Sequence, residues 1–269
     1  MMETLSSGIQ YRHWPAQQAK ACILLIHGLA EHTARYERLA AYFNARNIAV
    51  VGPDHIGHGA SPGTRAYVAQ FSQYLAPLTE LRDAMSGWYP DTPTFMLGHS
   101  MGGLIAAHLL LQDAQSYRGA MLSAPAFSAD EAVSPVTLWL GRLLRAVMPK
   151  IGMMSLEADQ ISRDPAVVAD YIADPLVYNG KITAALGMEL LSAMDDAIVG
   201  AQHITLPIYI AHGEADVMAM PDGSRAFFQA LGSQDKTLDW WPGLYHEIFN
   251  EPESEAVMAR FAEWLEAHL

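Results

Sequence analysis

The sequence predicts an α/β protein with a mostly parallel central sheet and helices on both faces. Short apolar segments that suit buried strands alternate with longer segments of helical spacing. The strand segments are apolar throughout, which is typical of parallel strands covered on both sides. The chain has 269 residues, of which 51% are hydrophobic, so it is long enough for one large domain with an insertion.

The predicted strands are apolar segments, most of which run directly into glycine, proline or histidine. Such residues are typical of turns, so they set the end of each strand. The strands are expected at residues 21–26, 48–51, 94–97, 119–123, 207–211 and 237–241.

The predicted helices follow from apolar residues that recur every three or four positions. In the first helix, Tyr36, Leu39, Ala40 and Phe43 share one side, and the last helix is amphipathic. The helices are expected at residues 33–44, 74–89, 102–112 and 254–268.

Residues 127–206 interrupt this alternation, because helical patterns dominate there and no convincing strand is seen. We expect an α/β core formed by residues 1–126 and 207–269, with residues 127–206 inserted as a helical cap. Ligands of open α/β sheets bind at the carboxyl ends of the strands, where such a cap would lie. The alternative is a helical subdomain with a purely structural role.

Ser100 lies in the segment GHSMGG at residues 98–103, between a predicted strand and a predicted helix. The pattern G-x-S-x-G in this context is typical of a nucleophilic serine on a sharp turn. Small residues on both sides allow the backbone to pass close to its neighbours. Ser100 is therefore the candidate nucleophile, and the alternative is a glycine-rich turn without a catalytic role.

A serine hydroxyl needs a base to remove its proton, and the base needs an acid to orient it. Asp216 follows the strand at residues 207–211, and His246 follows the strand at residues 237–241. The order serine, acid, histidine is the one this type of sheet requires. Glu214 is the rival acid, and Asp222 is more remote. We expect Asp216 as acid and His246 as base.

The tetrahedral transition state of ester attack carries an oxyanion, which needs hydrogen-bond donors. One donor is expected to be the backbone N–H of Met101, the residue after the nucleophile. The other is expected from the loop after the first buried strand, where we choose the N–H of Leu29. His99, beside the nucleophile, is expected near the alcohol end of the pocket.

Several segments together give the chain a family resemblance. It resembles α/β-hydrolases, and within them the monoacylglycerol lipase and lysophospholipase group. The matching segments are HGLAEHTARY at 27–36, PDHIGHGAS at 53–61, GHSMGG at 98–103, LSAPA at 122–126, HGEAD at 212–216 and HEIFNE at 246–251. The resemblance implies the α/β-hydrolase fold, the triad Ser100, Asp216 and His246, and an oxyanion hole at Leu29 and Met101. Ala30 departs from the pattern, because many relatives have glycine there.

The amino-acid composition limits the classes of binding partner and the cellular compartment that we expect for the protein. The formal net charge is −13 and no lysine or arginine cluster is present, so nucleic-acid binding is not expected. The single cysteine cannot form an internal disulfide, and neither a secretory signal nor a membrane-spanning segment is visible. We therefore expect a cytoplasmic protein. The histidines form no ligand motif, so neither a metal nor another cofactor is expected.

The sequence thus predicts a serine carboxylic ester hydrolase, and the resemblance narrows it to a monoacylglycerol lipase that releases a fatty acid and glycerol. A lysophospholipase or a short- to medium-chain carboxylesterase remains open. A hydrolase of other substrates, such as a peptidase or thioesterase, and a non-catalytic binding protein of this fold also remain.

The predicted helix at residues 136–147 is apolar around much of its circumference. Trp139 and Leu143 are the candidate residues for binding the acyl chain. Another face of the helix is expected to meet a membrane or micelle surface transiently, with Arg142, Arg145 and Lys150 toward lipid head groups. The alternative is that its apolar residues are all buried core.

Overall fold

The computed structural model describes residues 2–128 and 135–269. Its central element is an eight-stranded sheet with the order β1-β2-β4-β3-β5-β6-β9-β10. The strands are β1 Met2–Thr4, β2 Gln10–Trp14, β3 Ala21–Ile26, β4 Ile48–Pro53, β5 Thr94–His99, β6 Gly119–Ser123, β9 Ile208–Gly213 and β10 Lys236–Trp241. From β4 to β10 the paired strands are parallel, whereas β1 and β2 pair antiparallel at one edge.

Helices cover both faces of this sheet. They are α1 Glu37–Asn44, α2 Leu75–Trp88, α3 Met101–Asp113, α4 Pro135–Val147, α5 Pro165–Ala173, α6 Ala184–Gly200, α7 Pro221–Ala230 and α8 Ser254–Ala267. Their packing divides the core into two layers, and β3 shows why. Its side chains alternate, so that Leu24 packs into the layer with α2, α3 and α6, whereas Ile23 packs into the layer with α1 and α8. The predicted α/β class, with a mostly parallel sheet between helices, is confirmed.

Between β6 and β9, the chain forms α4, β7 (Gly152–Ser155), α5, β8 (Lys181–Thr183) and α6. The expectation of no strand in residues 127–206 was wrong, because β7 and β8 pair antiparallel in a small second sheet. Three- and four-residue strands of this kind are too short to give a periodic signal. The predicted helix at residues 136–147 is present as α4.

Other differences lie near the ends of the chain and at helix boundaries. β1, β2 and α7 were not predicted. The helix expected at residues 33–44 begins as a 3₁₀ segment, Thr33–Tyr36, and becomes α-helical only at Glu37. A 3₁₀ turn at the start of an α-helix is frequent and leaves little trace in the spacing of apolar residues.

The segment between β6 and β9 is attached to loops that follow the core strands. The Tyr178 N–H donates to the Ala30 oxygen at 2.8 Å, and His32 Nε2 lies 2.9 Å from Asp174 Oδ2. The Glu247 N–H donates to the Ile161 oxygen at 2.8 Å. The segment therefore lies over the same edge of the sheet as the loops after β3 and β10.

Candidate active site

Ser100 occupies the turn between β5 and α3. Its φ of 54° and ψ of −120° place a serine in a conformation that side chains rarely adopt. The surrounding backbone holds this conformation: the Ser100 N–H donates to Ser123, and the Ser100 oxygen accepts from Gly103, Leu104 and Ala126. Strain of this kind persists only where neighbouring contacts enforce it, and it is common at functional sites.

The glycines around Ser100 are required by close packing. A Cβ atom on Gly102 would lie 2.0 Å from the Ile26 oxygen, and one on Gly98 would lie 2.5 Å from the Gly102 oxygen. The backbones of β3, β5 and α3 can meet at this point only without side chains. The sharp turn thus leaves Ser100 half-buried at the carboxyl edge of the sheet.

Asp216 and His246 come together on the loops after β9 and β10. Asp216 Oδ2 lies 2.7 Å from His246 Nδ1, and both side chains are buried. Asp216 Oδ1 accepts the N–H groups of Met218 and Ala219, so both carboxylate oxygens are occupied. Glu214, the rival acid, is exposed. The pair leaves His246 Nε2 as the ring nitrogen available to the serine.

The pKa values of this pair move in opposite directions. Burial alone would raise the pKa of Asp216, but the charge and hydrogen bonds of His246 and His212 outweigh it and lower that pKa. Burial alone would lower the pKa of His246, but the Asp216 carboxylate outweighs it and raises that pKa. Asp216 is therefore ionised at neutral pH, and His246 titrates above its ordinary value.

The loop after β3, residues 27–31, lies directly against the serine. A Cβ atom on Gly28 would lie 3.3 Å from Ser100 Cβ. His27 Nδ1 donates to the Gly28 oxygen at 2.7 Å, and the Gly28 N–H donates to Glu31 Oε1 at 2.6 Å. Ala30 has a φ of 69°, in the left-handed region that favours glycine.

This arrangement presents the N–H groups of Leu29 and Met101 as candidate oxyanion donors. Met101 is the first residue of α3, where backbone N–H groups lack intrahelical acceptors. Neither N–H donates a hydrogen bond to another group of the described residues. The positive end of the α3 dipole adds to the preference for an anion at this point.

His99 packs beside the pair rather than facing solvent. Its ring centroid lies 4.8 Å from that of His246, and its Nδ1 lies 3.1 Å from the Ser123 oxygen. Burial lowers the pKa of His99 to about 3, so the ring is neutral. Its expected place at the alcohol end of the pocket stays a prediction.

Three buried histidines and Asp54 hold the loops beneath the site. His27 Nε2 accepts the His55 N–H, His55 Nε2 contacts the His27 oxygen, and His58 Nδ1 contacts the Ile56 oxygen. Asp54 accepts hydrogen bonds from Thr33 and from the Ala60 N–H. Among the described residues, no group of three potential ligand side chains is placed to hold a metal ion.

Two contacts of the site were missed in the sequence. His212 Nε2 lies 3.1 Å from Asp216 Oδ2, on the same oxygen that faces His246. Arg35, which also pairs with Glu31 four residues before it, binds Glu247. The sequence does place His212 at the end of β9, four residues before the acid, but a pairing between positions 35 and 247 has no local signal.

The two acyl-chain candidates lie on α4. Leu143 is 45% exposed, and two neighbouring apolar residues, Leu140 and Val147, are 42% and 65% exposed. The alternative that the apolar residues of this helix are all buried core is therefore wrong for these positions. The side chain of Trp139 lies outside the described residues, so its role stays a prediction.

This fold, with a serine on a strained turn between a strand and a helix, is that of an α/β-hydrolase, and the class of enzyme is the serine hydrolases. The chain belongs to the serine aminopeptidase S33 family, which it matches over residues 17–253.

Known proteins agree with this assignment over nearly the whole chain. The sequence is 36% identical to the monoacylglycerol lipase of Mycolicibacterium smegmatis, over 97% of this chain and 94% of that protein. It is 31% identical to the monoglyceride lipase of Rattus norvegicus, over 94% of this chain and 85% of that protein. The crystal structure of the Paleococcus ferrophilus monoacylglycerol lipase aligns with a TM-score of 0.89 and 29% identity, over 97% of this chain and 99% of that one. The predicted family and enzyme class are confirmed.

Of the helices that the structure describes, none combines the length and the apolarity needed to cross a bilayer.

Proposed function

We propose that the chain is a monoacylglycerol lipase that uses Ser100, His246 and Asp216 as its catalytic triad. The observation that carries this proposal is the 2.7 Å contact between Asp216 Oδ2 and His246 Nδ1, on loops at the same sheet edge as the Ser100 turn. An ionised acid on Nδ1 fixes the imidazole tautomer in which Nε2 accepts a proton. No cofactor takes part in this chemistry.

The mechanism follows from these positions. His246 Nε2 takes the Ser100 proton as Oγ attacks the ester carbonyl, and the N–H groups of Leu29 and Met101 stabilise the oxyanion. The imidazolium, stabilised by Asp216, gives its proton to the departing glycerol oxygen. Water then attacks the acyl-enzyme by the same route, which releases the fatty acid and restores Ser100.

The substrate class rests on the relatives, which are named for the hydrolysis of monoacylglycerols. A lysophospholipase or a simple carboxylesterase would use the same triad, so these remain outcomes of the test. A non-catalytic protein of this fold is disfavoured because each triad position holds the residue type that the chemistry needs. The family description as aminopeptidases adds amide hydrolysis as an outcome to be measured.

We propose residues 127–206 as the cap, with α4 as its lipid-facing element. The exposed side chains of Leu140, Leu143 and Val147 supply an apolar surface on that helix. Arg142 is exposed beside them, whereas Arg145 pairs with Glu189. We expect this face to touch membrane or micelle surfaces transiently from the cytoplasmic side, with the acyl chain of the substrate beneath it.

The test is substrate turnover by Ser100→Ala and His246→Ala, with His203→Ala as a control at an exposed histidine. Loss of a triad member should lower kcat by at least about 10³-fold, while the control keeps wild-type activity. Monoacylglycerols, lysophospholipids, p-nitrophenyl esters and aminoacyl amides should be compared by kcat/KM, with monoacylglycerols preferred. A fluorophosphonate probe should label the wild-type protein and not Ser100→Ala. A tenth of the activity remaining in either triad variant would overturn the proposal.

A further inference from the structure

The guanidinium of Arg35 contacts three elements around the active site, namely the loop after β3, the loop after β10 and helix α5. Its Nη1 lies 2.8 Å from Glu31 Oε2 and 2.6 Å from Glu247 Oε1, and its Nη2 lies 2.7 Å from Glu247 Oε2. Its Cζ also lies 4.6 Å from the ring centre of Tyr171, on α5. Arg35 itself lies in the 3₁₀ segment that precedes α1, so it belongs to none of the three elements.

Glu31 carries this connection to the oxyanion loop. Its Oε1 accepts the Gly28 N–H at 2.6 Å and the Tyr36 hydroxyl at 2.6 Å, while Oε2 faces Arg35. Gly28 is in turn the residue before Leu29, one of the proposed oxyanion donors. The backbone that presents this donor is therefore held by a carboxylate that Arg35 fixes.

Glu247 carries the connection to the other side of the site. It follows His246 directly, and its two oxygens receive the bidentate contact from Arg35. The Asn250 side-chain amide also donates to Glu247 Oε2 at 2.8 Å. A fork-to-fork contact fixes both the distance and the orientation of a carboxylate, so it restricts the loop that bears the catalytic base.

The network formed by Arg35, Glu31 and Glu247 is buried and carries a net negative charge. The side chains of Arg35, Glu31 and Glu247 are 11%, 4% and 6% exposed. Two carboxylates share one guanidinium, and burial with the Glu247 charge nearby raises the pKa of Glu31. Buried ion pairs of this kind contribute little net stability compared with apolar packing, because desolvation offsets their attraction. Stability alone is thus a weak reason for this arrangement.

We infer that Arg35 is a positioning residue, which holds the oxyanion loop (residues 27–31) and the histidine loop (residues 242–247) at the separation needed for catalysis. The Leu29 N–H and His246 Nε2 must act on the same ester group, one on the carbonyl oxygen and one on the serine proton. Misplacing one donor by about 1 Å can cost about 10²-fold in rate. This inference rests on the proposed triad, but it does not depend on which ester is the substrate.

The same network contributes to the electrostatics of the base. The charged or titratable groups acting on His246 are Asp216, Glu247, Glu31 and the neutral His99. The three carboxylates outweigh burial and raise its pKa, with Asp216 contributing most. Removing the Glu247 charge should therefore lower this pKa, which a merely structural role would not do.

The test uses Arg35→Lys, which keeps the charge but cannot form the bidentate contact. Arg82→Lys is the matched control, because Arg82 also binds two carboxylates, Asp83 and Asp113, but joins α2 to the end of α3. Arg35→Lys should lower kcat on a p-nitrophenyl ester 10- to 100-fold, on the order of the cost of a misplaced group, with KM changed less than threefold. Arg82→Lys should leave both constants unchanged.

The second arm uses Glu247→Gln and the pH profile of kcat/KM. The acid limb of this profile should move to lower pH by roughly half a unit, because His246 loses one nearby negative charge. Folding is checked by circular dichroism and Tm, and Glu31→Gln replaces Arg35→Lys if the latter does not fold. Unchanged kcat in the Arg35 or Glu31 variant, or an unmoved acid limb in Glu247→Gln, would overturn the inference. Full activity in Ser100→Ala would instead refute the triad itself.

Discussion

His212 and His246 share one oxygen of Asp216. His246 Nδ1 lies 2.7 Å from Asp216 Oδ2, and His212 Nε2 lies 3.1 Å from the same atom. His212 is held in turn by Ser224, whose Oγ lies 2.7 Å from Nδ1. The acid is thus oriented by a second, fully buried histidine on the strand that precedes it.

The first prediction concerns that second histidine. His212→Gln should lower kcat about tenfold, because the acid loses one contact but keeps His246 and the N–H groups of Met218 and Ala219. Asp216→Asn should lower kcat by about 10³- to 10⁴-fold, because the tautomer of His246 is then wrong. Steady-state kinetics on a soluble ester measure both values. Equal losses in the two variants would contradict the supporting role of His212.

The second prediction concerns the pH dependence of activity. His246 must be neutral to act as base, and nearby carboxylates raise its pKa above its ordinary 6.5. Activity should therefore fall as the pH drops, with the acid limb of the kcat/KM profile above pH 6.5. The profile should be the same with and without a chelator. An acid limb centred at or below pH 6.5 would contradict the raised pKa.

The third prediction concerns stability in acid. Burial lowers the pKa values of His27, His55, His58 and His99, to about 4 for His58 and about 3 for His99. Below pH 6.5 the unfolded chain binds protons at these sites that the folded chain does not, so stability falls as the pH falls. Each histidine that stays neutral in the folded chain costs roughly 1 kcal/mol per pH unit below pH 6.5, so the four together cost several kcal/mol at pH 5.5.

That loss is comparable to the whole stability of many domains. Urea unfolding between pH 7.5 and 5.5 should show it, and His58→Asn should reduce the slope by about a quarter. His203→Gln serves as the control, because His203 is exposed. His246 acts in the opposite sense, since its raised pKa adds stability below pH 6.5, but it is one group against four. A free energy of unfolding that stays constant over this range would refute the prediction.

The fourth prediction concerns the outer face of α4. Leu143→Glu should weaken turnover of long-chain monoacylglycerol in micelles about tenfold, because a charge disfavours contact with the lipid surface. Hydrolysis of a short, soluble ester should stay near wild type, and Tm should hardly change, because Leu143 is exposed. Val199→Glu is the matched control, an exposed apolar residue at the end of α6. Equal losses on both substrates would argue against a lipid-facing role.

The fifth prediction compares two helical glycines. Gly102→Ala should abolish activity and strongly destabilise the fold, because the added Cβ would lie 2.0 Å from the Ile26 oxygen. Gly87→Ala, in α2, has no atom within 4 Å of the new Cβ and should raise stability by about 0.5–1 kcal/mol. Thermal unfolding of the two variants measures the contrast. A stable, active Gly102→Ala protein would mean that the backbone can relax at the turn.

The sequence predicts the site better than it predicts the edges of the molecule. Buried parallel strands such as β3 and β5 are recognised by their unbroken apolar segments. The loops after β5, β9 and β10 place Ser100, Asp216 and His246 at one edge of the sheet. β1 and β2 lie at the sheet margin and are largely polar, so their pattern is weak. β7 is entirely exposed and gives no burial signal at all.

Long-range pairing is what the sequence leaves open. Glu31 and Arg35 are only four residues apart, so their contact is local along the chain. The contact between Arg35 and Glu247 joins positions 212 residues apart, and it forms only because the loops after β3 and β10 converge. Charge pattern alone offers many partners for Arg35, and only the folded sheet selects one.

The contacts of Ala30 and His32 with the segment between β6 and β9 bear on how such enzymes are recombined. The Tyr178 N–H binds the Ala30 oxygen, and Asp174 binds His32, so the segment and the loop after β3 are fitted to each other. A chimera that carries residues 127–206 of a relative would therefore have one partner of each contact from the relative and the other from this chain. The segment and the loop at residues 27–35 should therefore be exchanged together when such enzymes are engineered for a new substrate preference.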